Sequence, residues 1–454
     1  MNLALSLLGA AERHPQAEAL PGITYAELRE RAARMAGGLG LEPGDRLATV
    51  LDNRIETALL YWASQWCGAV FVPLSWRLAQ ADLDYCVDDC GARIVFRDDT
   101  PLPDGPEHPG ALDLDDREPS LMLYTSGTTG RPKGVPRSHA ADYHGSLFQV
   151  VQHGYRFGDR TLGVMPLYHT MGVHSLIAMH LIGGCLVSQA RWDAAEALRL
   201  IQDEQITSLY LAPTLFYDLV HHPRLGEYDL SSVETLCYAG AAMTSALVER
   251  CLEVFRPRLF VNHYGSTEVY TFSIHRQQAA KPGCAGRPSL GARVRLDESS
   301  EILCHMASDS AFTGYWNRPD ADAGAIVDGW YHTGDVGRLD GDGDLWILGR
   351  VDDMIVSGGE NIHPLEVENV LAGHPKVAEV AVVAAPDDRL GQRVVAVVVA
   401  DGAATAEELD AFCLASDGLA RFKRPREYRF VESLPKSPSG KILRRLLREE
   451  APAA

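Results

Sequence analysis

The sequence predicts an α/β fold with a large N-terminal domain, which includes a β-rich subdomain, and a small α+β C-terminal domain. Three observations lead to this prediction. The chain has 454 residues, which is more than one hydrophobic core usually serves. Short apolar strands alternate with periodic helices, a pattern typical of parallel or mixed sheets flanked by helices. After about residue 352 a second, shorter series of helices and strands begins.

The predicted elements alternate from the start of the chain. Leu3 to Ala11 is predicted as a short helix, and Tyr25 to Leu39 as a longer one with apolar residues at helical spacing. The other predicted helices are Ile55 to Trp66, Asp82 to Cys90, Val173 to Gly184, Ala194 to Glu204, Leu365 to Leu371 and Glu407 to Leu414. The predicted strands are Arg46 to Leu51, Ala69 to Pro73, Arg93 to Phe96, Leu121 to Tyr124, Thr161 to Met165, Ser208 to Ala212, Thr235 to Tyr238, Leu259 to Asn262, Val377 to Ala384 and Arg393 to Ala400.

The predicted domains are residues 1–351 and residues 352–454. The segment from about Glu301 to Leu348 is rich in glycine, aspartate and aromatic residues, which makes it the β-rich part of the first domain. Within it, the run Asp340 to Asp344 is predicted to be a hairpin turn. A calcium loop is the alternative, but the spacing and the terminal glutamate of an EF-hand are missing.

Charge and composition exclude several classes of protein. Lys and Arg total 42 and Asp and Glu total 61, so the formal net charge is 42 − 61 = −19. Such a surface repels nucleic acid and anionic membranes, and any phosphate site must be locally basic or built from backbone N–H groups. No run approaches the roughly 20 apolar residues of a membrane helix. The nine scattered cysteines are typical of a cytoplasmic protein with reduced thiols.

A loop of hydroxyl and glycine residues follows the predicted strand Leu121 to Tyr124. It reads Thr125-Ser126-Gly127-Thr128-Thr129-Gly130-Arg131-Pro132-Lys133-Gly134. Glycines let backbone N–H groups turn towards an anion, the hydroxyls add donors, and Lys133 adds a positive charge. The spacing differs from that of a P-loop NTPase. The loop therefore predicts a phosphate-binding site, against the alternative of a plain flexible linker.

The loop resembles the signature of the acyl-adenylate-forming superfamily, which contains acyl- and aryl-CoA ligases, luciferases and adenylation domains. The resemblance continues in order along the chain, and the closest likeness is to para-chlorobenzoate:CoA ligase and related aryl-CoA ligases. The further motifs are Tyr264-Gly265-Ser266-Thr267-Glu268, Tyr331-His332-Thr333-Gly334-Asp335, Gly349-Arg350-Val351-Asp352-Asp353, Ser357-Gly358-Gly359-Glu360-Asn361 and Pro435-Lys436-Ser437-Pro438-Ser439-Gly440-Lys441.

The resemblance implies catalytic roles for several motif residues. The superfamily's reaction joins two anions, a carboxylate and the α-phosphate of ATP, so positive charge and positioning must converge there. The resemblance implies that Lys441 bridges the two reacting groups, that Thr267 contacts the α-phosphate and that Glu268 holds Mg²⁺. Asp335 would accept the ribose hydroxyls, with Arg350 assisting at ribose and phosphate.

The rest of the implied ATP site surrounds the nucleotide. By resemblance Tyr264 stacks on adenine, and Lys133 with the loop hydroxyls holds the pyrophosphate. The remaining residues assigned to ATP or AMP in this way are Thr125, Ser126, Gly127, Thr128, Thr129 and Gly265.

The second half-reaction implied by the resemblance is attack of the CoA thiol on the acyl-adenylate. The small domain would be mobile and rotate about the hinge Asp352, bringing Glu360 towards His169. Gly358 and Gly359 would line the pantetheine tunnel, where a side chain obstructs passage. Arginines that would hold the CoA phosphates are Arg77, Arg424 and Arg426.

A pocket for the carboxylic acid is implied by the same likeness. Aromatic and apolar walls suit a small aromatic or heteroaromatic acid. His263 stands where the related ligase has an aliphatic residue, so it either contacts a polar group of the substrate or bonds within the protein. The implied lining residues are His169, Thr170, Met171, Tyr210, Ala239, His263, Gly265 and Tyr270.

Three hypotheses remain from the sequence. The first is an acid:CoA ligase with ATP, Mg²⁺, CoA and a small carboxylic acid as its partners, without nucleic acid or membrane. The second is an adenylating enzyme that takes a short or medium aliphatic acid or loads a carrier protein. The third is a non-catalytic binder, which would be expected to lose Lys441, Glu268 or Asp335. The assembly state is left open, with a homodimer allowed.

Overall fold

The computed structural model describes residues 2–125, 131–436 and 442–449, which contain thirteen α-helices and twenty-four strands. The helices are α1 (Leu3–Arg13), α2 (Tyr25–Leu39), α3 (Ile55–Cys67), α4 (Gln80–Cys90), α5 (His139–His153), α6 (Thr170–Leu181), α7 (Ala194–Asp203), α8 (Pro213–Val220), α9 (Ser245–Phe255), α10 (Pro319–Ala325), α11 (Pro364–Leu371), α12 (Ala406–Ala415) and α13 (Arg444–Glu449).

The strands of these described residues lie in five sheets. They are β1 (Glu18–Leu20), β2 (Ile23–Thr24), β3 (Arg46–Thr49), β4 (Val70–Pro73), β5 (Ile94–Phe96), β6 (Pro119–Thr125), β7 (Lys133–Ser138), β8 (Arg160–Gly163), β9 (Cys185–Ser188), β10 (Ser208–Leu211), β11 (Thr235–Tyr238), β12 (Leu259–Tyr264), β13 (Ser273–His275), β14 (Arg287–Pro288), β15 (Val294–Leu296), β16 (Glu301–His305), β17 (Ile326–Val327), β18 (Trp330–Leu339), β19 (Leu345–Arg350), β20 (Ile355–Ser357), β21 (Glu360–Ile362), β22 (Val377–Asp387), β23 (Gly391–Ala400) and β24 (Glu427–Phe430).

Two mixed sheets form most of the N-terminal part. The first has the order β5-β3-β4-β6-β7, and only its edge pair β6–β7 is antiparallel. The second has the order β14-β13-β12-β11-β10-β8-β9, parallel from β12 to β9 and antiparallel beyond β12. Helices cover both sheets: α1, α2, α3 and α6 share a buried core with the first, and α7, α8 and α9 share one with the second.

The remaining larger sheets are β-rich and lie later in the chain. An antiparallel sheet of β15 to β19 follows the second mixed sheet. The last sheet has the order β21-β20-β23-β22, with β24 beside β23, and packs α11 and α12 into a core of its own. The predicted fold class, a large mixed α/β domain followed by a smaller α+β domain, is confirmed.

Local sequence signals explain where many helices begin and end. Thr24 caps α2 by accepting from the N–H of Glu27, whose carboxylate accepts from the Thr24 N–H in return. Gly40 ends the same helix in the left-handed conformation that glycine adopts without strain. Thr405 and Glu408 form a second such capping box at the start of α12. These short-range signals made the helix bounds readable from sequence.

Most predicted elements occur within one to four residues of their expected bounds. α2 and β11 match the predicted ranges, and the helix predicted over Val173 to Gly184 is found as the buried helix α6, Thr170–Leu181. Five helices, α5, α8, α9, α10 and α13, were not among the predictions. The antiparallel strand β7 was also missed, because Lys133 to Ser138 is only partly apolar and contains Pro136, which strands tolerate mainly at edges.

The aspartate-rich turn is a hairpin between β18 and β19, as predicted. Lys281 Nζ lies 2.9 Å from an Asp340 carboxylate oxygen, and it also contacts Asp342 and Asp344 at 2.7 and 2.5 Å. Arg287 adds a second contact to Asp344. Lys281 and Arg287 therefore already pair with the carboxylates that a calcium ion would need.

Among the described residues, every helix is too short or too polar to span a bilayer.

Buried neutral histidines make the fold sensitive to acid. Burial lowers the pKa of both His139 and His180 to about 4, and the Nδ1 atom of His139 accepts from the Leu3 N–H. The unfolded chain takes up these protons near pH 6.5, whereas the folded chain resists them, so stability falls as pH drops below that value. We expect the free energy of unfolding to fall by about 2 kcal/mol per histidine between pH 7 and pH 5.

Urea unfolding at the two pH values measures this dependence. His180→Gln should make the stability less dependent on pH, whereas the control His221→Gln, at an exposed side chain, should leave the dependence unchanged. Equal unfolding free energies for the wild type at pH 7 and pH 5 would contradict the expectation.

Candidate active site

Residues of the expected acid pocket gather at the carboxyl ends of the parallel strands in the second sheet. Tyr210 lies on β10, Ala239 directly follows β11, and His263 lies near the end of β12. Tyr210, Ala239 and Met171 belong to one buried apolar cluster, which also contains Met165 and Val261. This edge is where open α/β sheets usually bind ligands.

Aromatic rings and imidazoles form one wall of this pocket. The ring of His263 lies 5.5 Å from that of Tyr210 and 4.8 Å from that of Tyr270, measured between centroids. On the other side of Tyr270, the ring of His174 stacks at 3.7 Å with an interplanar angle of 10°. The wall is therefore aromatic, with the His263 ring tilted by 57° from that of Tyr270.

Both ring nitrogens of His263 have partners within the protein. Its Nε2 lies 3.1 Å from the Tyr270 carbonyl oxygen and 2.9 Å from the Thr271 hydroxyl, and its Nδ1 lies 3.0 Å from His153 Nε2. A carbonyl only accepts, so Nε2 carries the proton, and in the neutral ring Nδ1 accepts. Burial lowers the pKa of His263 to about 4. Of the two sequence hypotheses for His263, the geometry favours bonding within the protein.

A series of hydrogen bonds starts at His263 and ends at the hydroxyl of Tyr270. His153 donates to His263 through Nε2, so its Nδ1 accepts from the Tyr155 hydroxyl at 3.2 Å. Tyr155 in turn accepts from Gln149 Nε2, and Gln149 Oε1 accepts from the Tyr270 hydroxyl at 2.7 Å. This closed ring of hydrogen bonds fixes both the hydroxyl and the backbone of Tyr270.

Asp335 and Arg350 face each other across the hairpin β18–β19. Arg350 Nη1 donates to Asp335 Oδ1 at 2.9 Å, and the Tyr264 hydroxyl donates to Asp335 Oδ2 at 2.6 Å. Burial alone would lower the pKa of Arg350, but the Asp335 carboxylate raises it. Each carboxylate oxygen retains a further lone pair, so Asp335 has the acceptor capacity that two ribose hydroxyls need.

Glu268 lies in the turn after β12 and is buried. Its Oε1 accepts from the Tyr315 hydroxyl at 2.8 Å, and Lys133 Nζ lies 4.3 Å from the centroid of the Tyr315 ring. The backbone carbonyl of Glu268 accepts from Phe312 N–H at 2.7 Å. A carboxylate held by one hydroxyl, with its second oxygen unbonded to any described residue, is a suitable hard ligand for Mg²⁺.

His169 precedes α6 and directly follows Tyr168, which lines a cavity. Burial lowers the pKa of His169 to about 4, so the ring is neutral at neutral pH. The adjacent Tyr168 lines the cavity together with Trp76 and Arg77. The guanidinium of Arg77 lies 4.8 Å from the Trp76 ring centroid and forms no ion pair with a described residue. The expected thiol-side residues His169 and Arg77 therefore share one region.

The C-terminal residues expected on the CoA side are spread over the small domain. Gly358 and Gly359 form the turn between β20 and β21, with φ of 62° and 86°, which glycine adopts without strain. Glu360 follows and is exposed, and none of the contacts of described residues joins it to His169. Arg424 pairs with Asp410, and Arg426 is exposed.

The predicted hinge lies in a short 3₁₀ helix, Val351–Asp353. The carbonyl of Asp352 accepts from Arg448 Nη2 at 3.3 Å, and the same guanidinium contacts the Asp353 carboxylate. The helix α13, which follows Lys441 along the chain, is therefore tied to the predicted hinge.

Several expected site residues lie outside the described residues. They are Ser126, Gly127, Thr128, Thr129 and Lys441. Thr125 is the last residue of β6 and pairs in register with Lys133 of β7. The residues that the sequence did not indicate are Arg137, Asp142, Gln149, His153, Tyr155, His174 and Tyr315.

Family models match both parts of the chain. The model described as AMP-binding enzyme matches residues 8–316, and the model described as AMP-binding enzyme C-terminal domain matches residues 366–441. Together these matches cover most of the chain, with residues 317–365 between them.

Relatives cover nearly the whole chain. A feruloyl-CoA synthase from Amycolatopsis sp is 36% identical, covering 93% of this chain and 92% of its own. A 4-chlorobenzoate–CoA ligase from Arthrobacter sp is 33% identical, covering 97% and 93%. A fatty acid–[acyl-carrier-protein] ligase from Streptomyces coeruleorubidus is also 33% identical, covering 94% and 91%.

A solved structure is similar in fold and in sequence. The o-succinylbenzoate–CoA synthetase from Bacillus subtilis, in complex with ATP and magnesium, aligns with a TM-score of 0.84 and 27% identity, covering 97% of this chain and 98% of its own. The chain belongs to the AMP-binding enzyme family and is an AMP-forming acyl- or aryl-CoA synthetase that uses ATP, Mg²⁺ and CoA.

Proposed function

We propose that this enzyme converts a small aromatic or heteroaromatic carboxylic acid into its acyl-adenylate and then into its CoA thioester. The observation that carries the proposal is the aromatic pocket wall of Tyr210, His263 and Tyr270 directly beside the turn that bears Thr267 and Glu268. An acid in this pocket would lie next to the groups that are expected to bind the α-phosphate. The relatives named for ferulate and 4-chlorobenzoate support an aromatic acid.

The first step would be attack of a carboxylate oxygen on the α-phosphorus, which releases pyrophosphate. Asp335 would accept the ribose hydroxyls, while Arg350 holds the Asp335 carboxylate in place. Glu268 would hold Mg²⁺, which when bound neutralises charge on the phosphate oxygens. Thr267 would contact the α-phosphate, and Lys133 would bind the pyrophosphate. The role of Lys441 at the reacting oxygens rests on its sequence motif.

The second step would be attack of the CoA thiol on the acyl carbon, which releases AMP. We propose residues 1–351 and 352–454 as the two domains, with rotation of the small domain about Asp352 between the steps. The exposed hairpin of Gly358, Gly359 and Glu360 would then approach His169. The cavity at Trp76 and Arg77 lies on the same side as His169, and Arg77 is available for a CoA phosphate.

Tyr210 is the group best placed to recognise a polar substituent on the acid. It is buried in the pocket cluster, where its hydroxyl lies near the Tyr270 hydroxyl but makes no well-formed hydrogen bond with a described residue. A buried hydroxyl without a partner is unfavourable, and a hydroxyl or heteroatom on a bound ring would satisfy it. His263 has both nitrogens engaged and would contribute its ring face.

The acid and the acceptor can be identified together. The enzyme should be incubated with ATP, Mg²⁺ and benzoate, 4-hydroxybenzoate, 2-furoate or hexanoate, with either CoA or a phosphopantetheinylated carrier protein, and AMP release measured. We expect the highest kcat/KM with a ring acid and CoA. Preference for hexanoate, or transfer only to the carrier, would favour the second candidate function, which the 33% identical carrier-protein ligase supports.

Tyr210→Phe tests the polar contact. We expect kcat/KM for 4-hydroxybenzoate to fall about 5-fold relative to benzoate, because one hydrogen bond is worth about 1 kcal/mol. The matched variant His263→Ile should lower the values for both acids by similar factors, since it removes a ring and its internal bonds. If Tyr210→Phe lowered both acids equally, recognition through the hydroxyl would be ruled out.

Asp335→Asn tests the nucleotide site. An amide replaces one charged acceptor, and hydrogen bonds to charged groups contribute about 1.5–3 kcal/mol. We therefore expect the KM for ATP to rise about 10- to 100-fold while the KM for the acid changes little. Asp320→Asn, at an exposed residue paired with Arg318, is the control. An unchanged KM for ATP in Asp335→Asn would argue against the assignment.

A further inference from the structure

A buried ion pair lies behind the candidate site and has no role in the proposed chemistry. Arg137 Nε lies 2.6 Å from Asp142 Oδ1, and both side chains are 0% exposed. Burying two charges carries a desolvation penalty that the pair itself often fails to offset, so such pairs are weak contributors to stability. The other bonds of the two side chains indicate what this pair does.

Arg137 holds two separate backbone segments. Its Nη1 donates to the Thr267 carbonyl at 3.0 Å, and its Nη2 donates to the Ser310 carbonyl at 3.2 Å. The same Ser310 carbonyl accepts from the Tyr270 N–H at 3.4 Å. Because the guanidinium is a rigid planar fork, it fixes the spacing of the Thr267 turn relative to the segment at Ser310.

Asp142 connects the guanidinium to the acid-pocket wall. It accepts from the Ser120 hydroxyl at 2.9 Å, and His174 Nε2 lies 3.3 Å from its Oδ1. His174 stacks on Tyr270, and its Nδ1 lies 2.9 Å from the Thr170 carbonyl oxygen, so the single proton of the neutral ring is directed either to that carbonyl or to Asp142. The pair therefore contacts the phosphate side of the candidate site through Arg137 and the acid side through Asp142.

The strand β7 contacts the same turn from its other end. Lys133 and Arg137 are four residues apart on β7, so their side chains point to the same face. Lys133 lies over the ring of Tyr315, whose hydroxyl donates to Glu268. One strand thus holds both Thr267 and Glu268, and it begins where the expected phosphate loop ends.

We propose that the Arg137–Asp142 ion pair is a positioning device that fixes the Thr267–Glu268 turn and the Tyr270 wall for formation of the acyl-adenylate. The inference rests on the proposed function. Neither residue touches a reactant. Their effect is on the rate of the adenylation step, where a displacement of about 1 Å costs on the order of 100-fold.

The test separates positioning from stability. Arg137→Met leaves Asp142 buried without a partner, so both the Tm and the kcat of acid-dependent ATP–pyrophosphate exchange should fall. In the double variant Arg137→Met with Asp142→Leu no buried charge remains, so the Tm should recover towards wild type. We expect its kcat to stay about 10- to 100-fold low, with the KM for ATP within about threefold of wild type because Asp335 and Arg350 are unaltered. Recovery of kcat together with Tm would overturn the proposal.

A second variant covers the case in which the double variant does not fold. Arg137→Lys keeps the charge beside Asp142 but cannot make the two forked bonds to Thr267 and Ser310. We expect a Tm close to wild type and a kcat reduced about 10-fold or more. A wild-type kcat in Arg137→Lys would overturn the proposal.

The control is Arg160→Met, which breaks the ion pairs with Glu18 and Glu204 away from this turn and should lower the Tm without lowering kcat. The wild-type measurement distinguishes failure of the proposed function from failure of the positioning role. Lack of acid-dependent exchange in the wild type with every acid would contradict the proposed function. An active wild type with an active double variant would contradict the positioning role alone.

Discussion

The close approach of Gly265 to Tyr270 is the constraint on which both halves of the candidate site depend. A Cβ atom at Gly265 would lie 1.9 Å from the Tyr270 carbonyl oxygen, so only glycine lets the chain fold back at this point. The Ser266 hydroxyl accepts from the N–H groups of Glu268 and Val269 and closes the turn. The turn presents Thr267 and Glu268 on one side, and it returns Tyr270 to the pocket wall on the other.

Positive side chains at the candidate site are held in fixed positions, although the protein as a whole is acidic. The formal net charge of −19 opposes the approach of two anionic reactants. Lys133 and Arg350 belong to the sequence motifs of the candidate site, and Arg137 follows the first of these motifs closely. Arg137 and Arg350 are each paired with a carboxylate, which fixes the guanidinium geometry. A positive group held in place before the reaction requires little rearrangement when charge develops.

The sequence predicted the class of enzyme and most of the fold because the relevant signals are local. Helix caps, glycine positions and strand–loop motifs all lie within a few residues of one another, and their order along the chain was specific. The mixed first sheet was less predictable, since β7 carries polar residues and a proline. The helix α5 begins with polar residues and histidines, so its buried face shows a weak apolar pattern.

The supporting residues could not be predicted from sequence because their contacts are long-range. Arg137 meets Thr267 and Ser310 across 130 and 173 residues of chain, and the pairing of His153 with His263 spans 110 residues. No local pattern distinguishes Arg137 from a surface arginine or His153 from a helix-end histidine. The two hypotheses for His263 stayed open for the same reason, until the partners of both nitrogens were known.

The central claim is that a carboxylate oxygen of the acid attacks the α-phosphorus of ATP. Turnover of an ¹⁸O-labelled carboxylic acid with ATP, Mg²⁺ and CoA, followed by mass spectrometry of the nucleotide, tests it most directly. We expect AMP to carry one ¹⁸O atom and pyrophosphate to carry none, because the bridging oxygen of the acyl-adenylate leaves with AMP. Unlabelled AMP, with the label in phosphate or pyrophosphate, would contradict it.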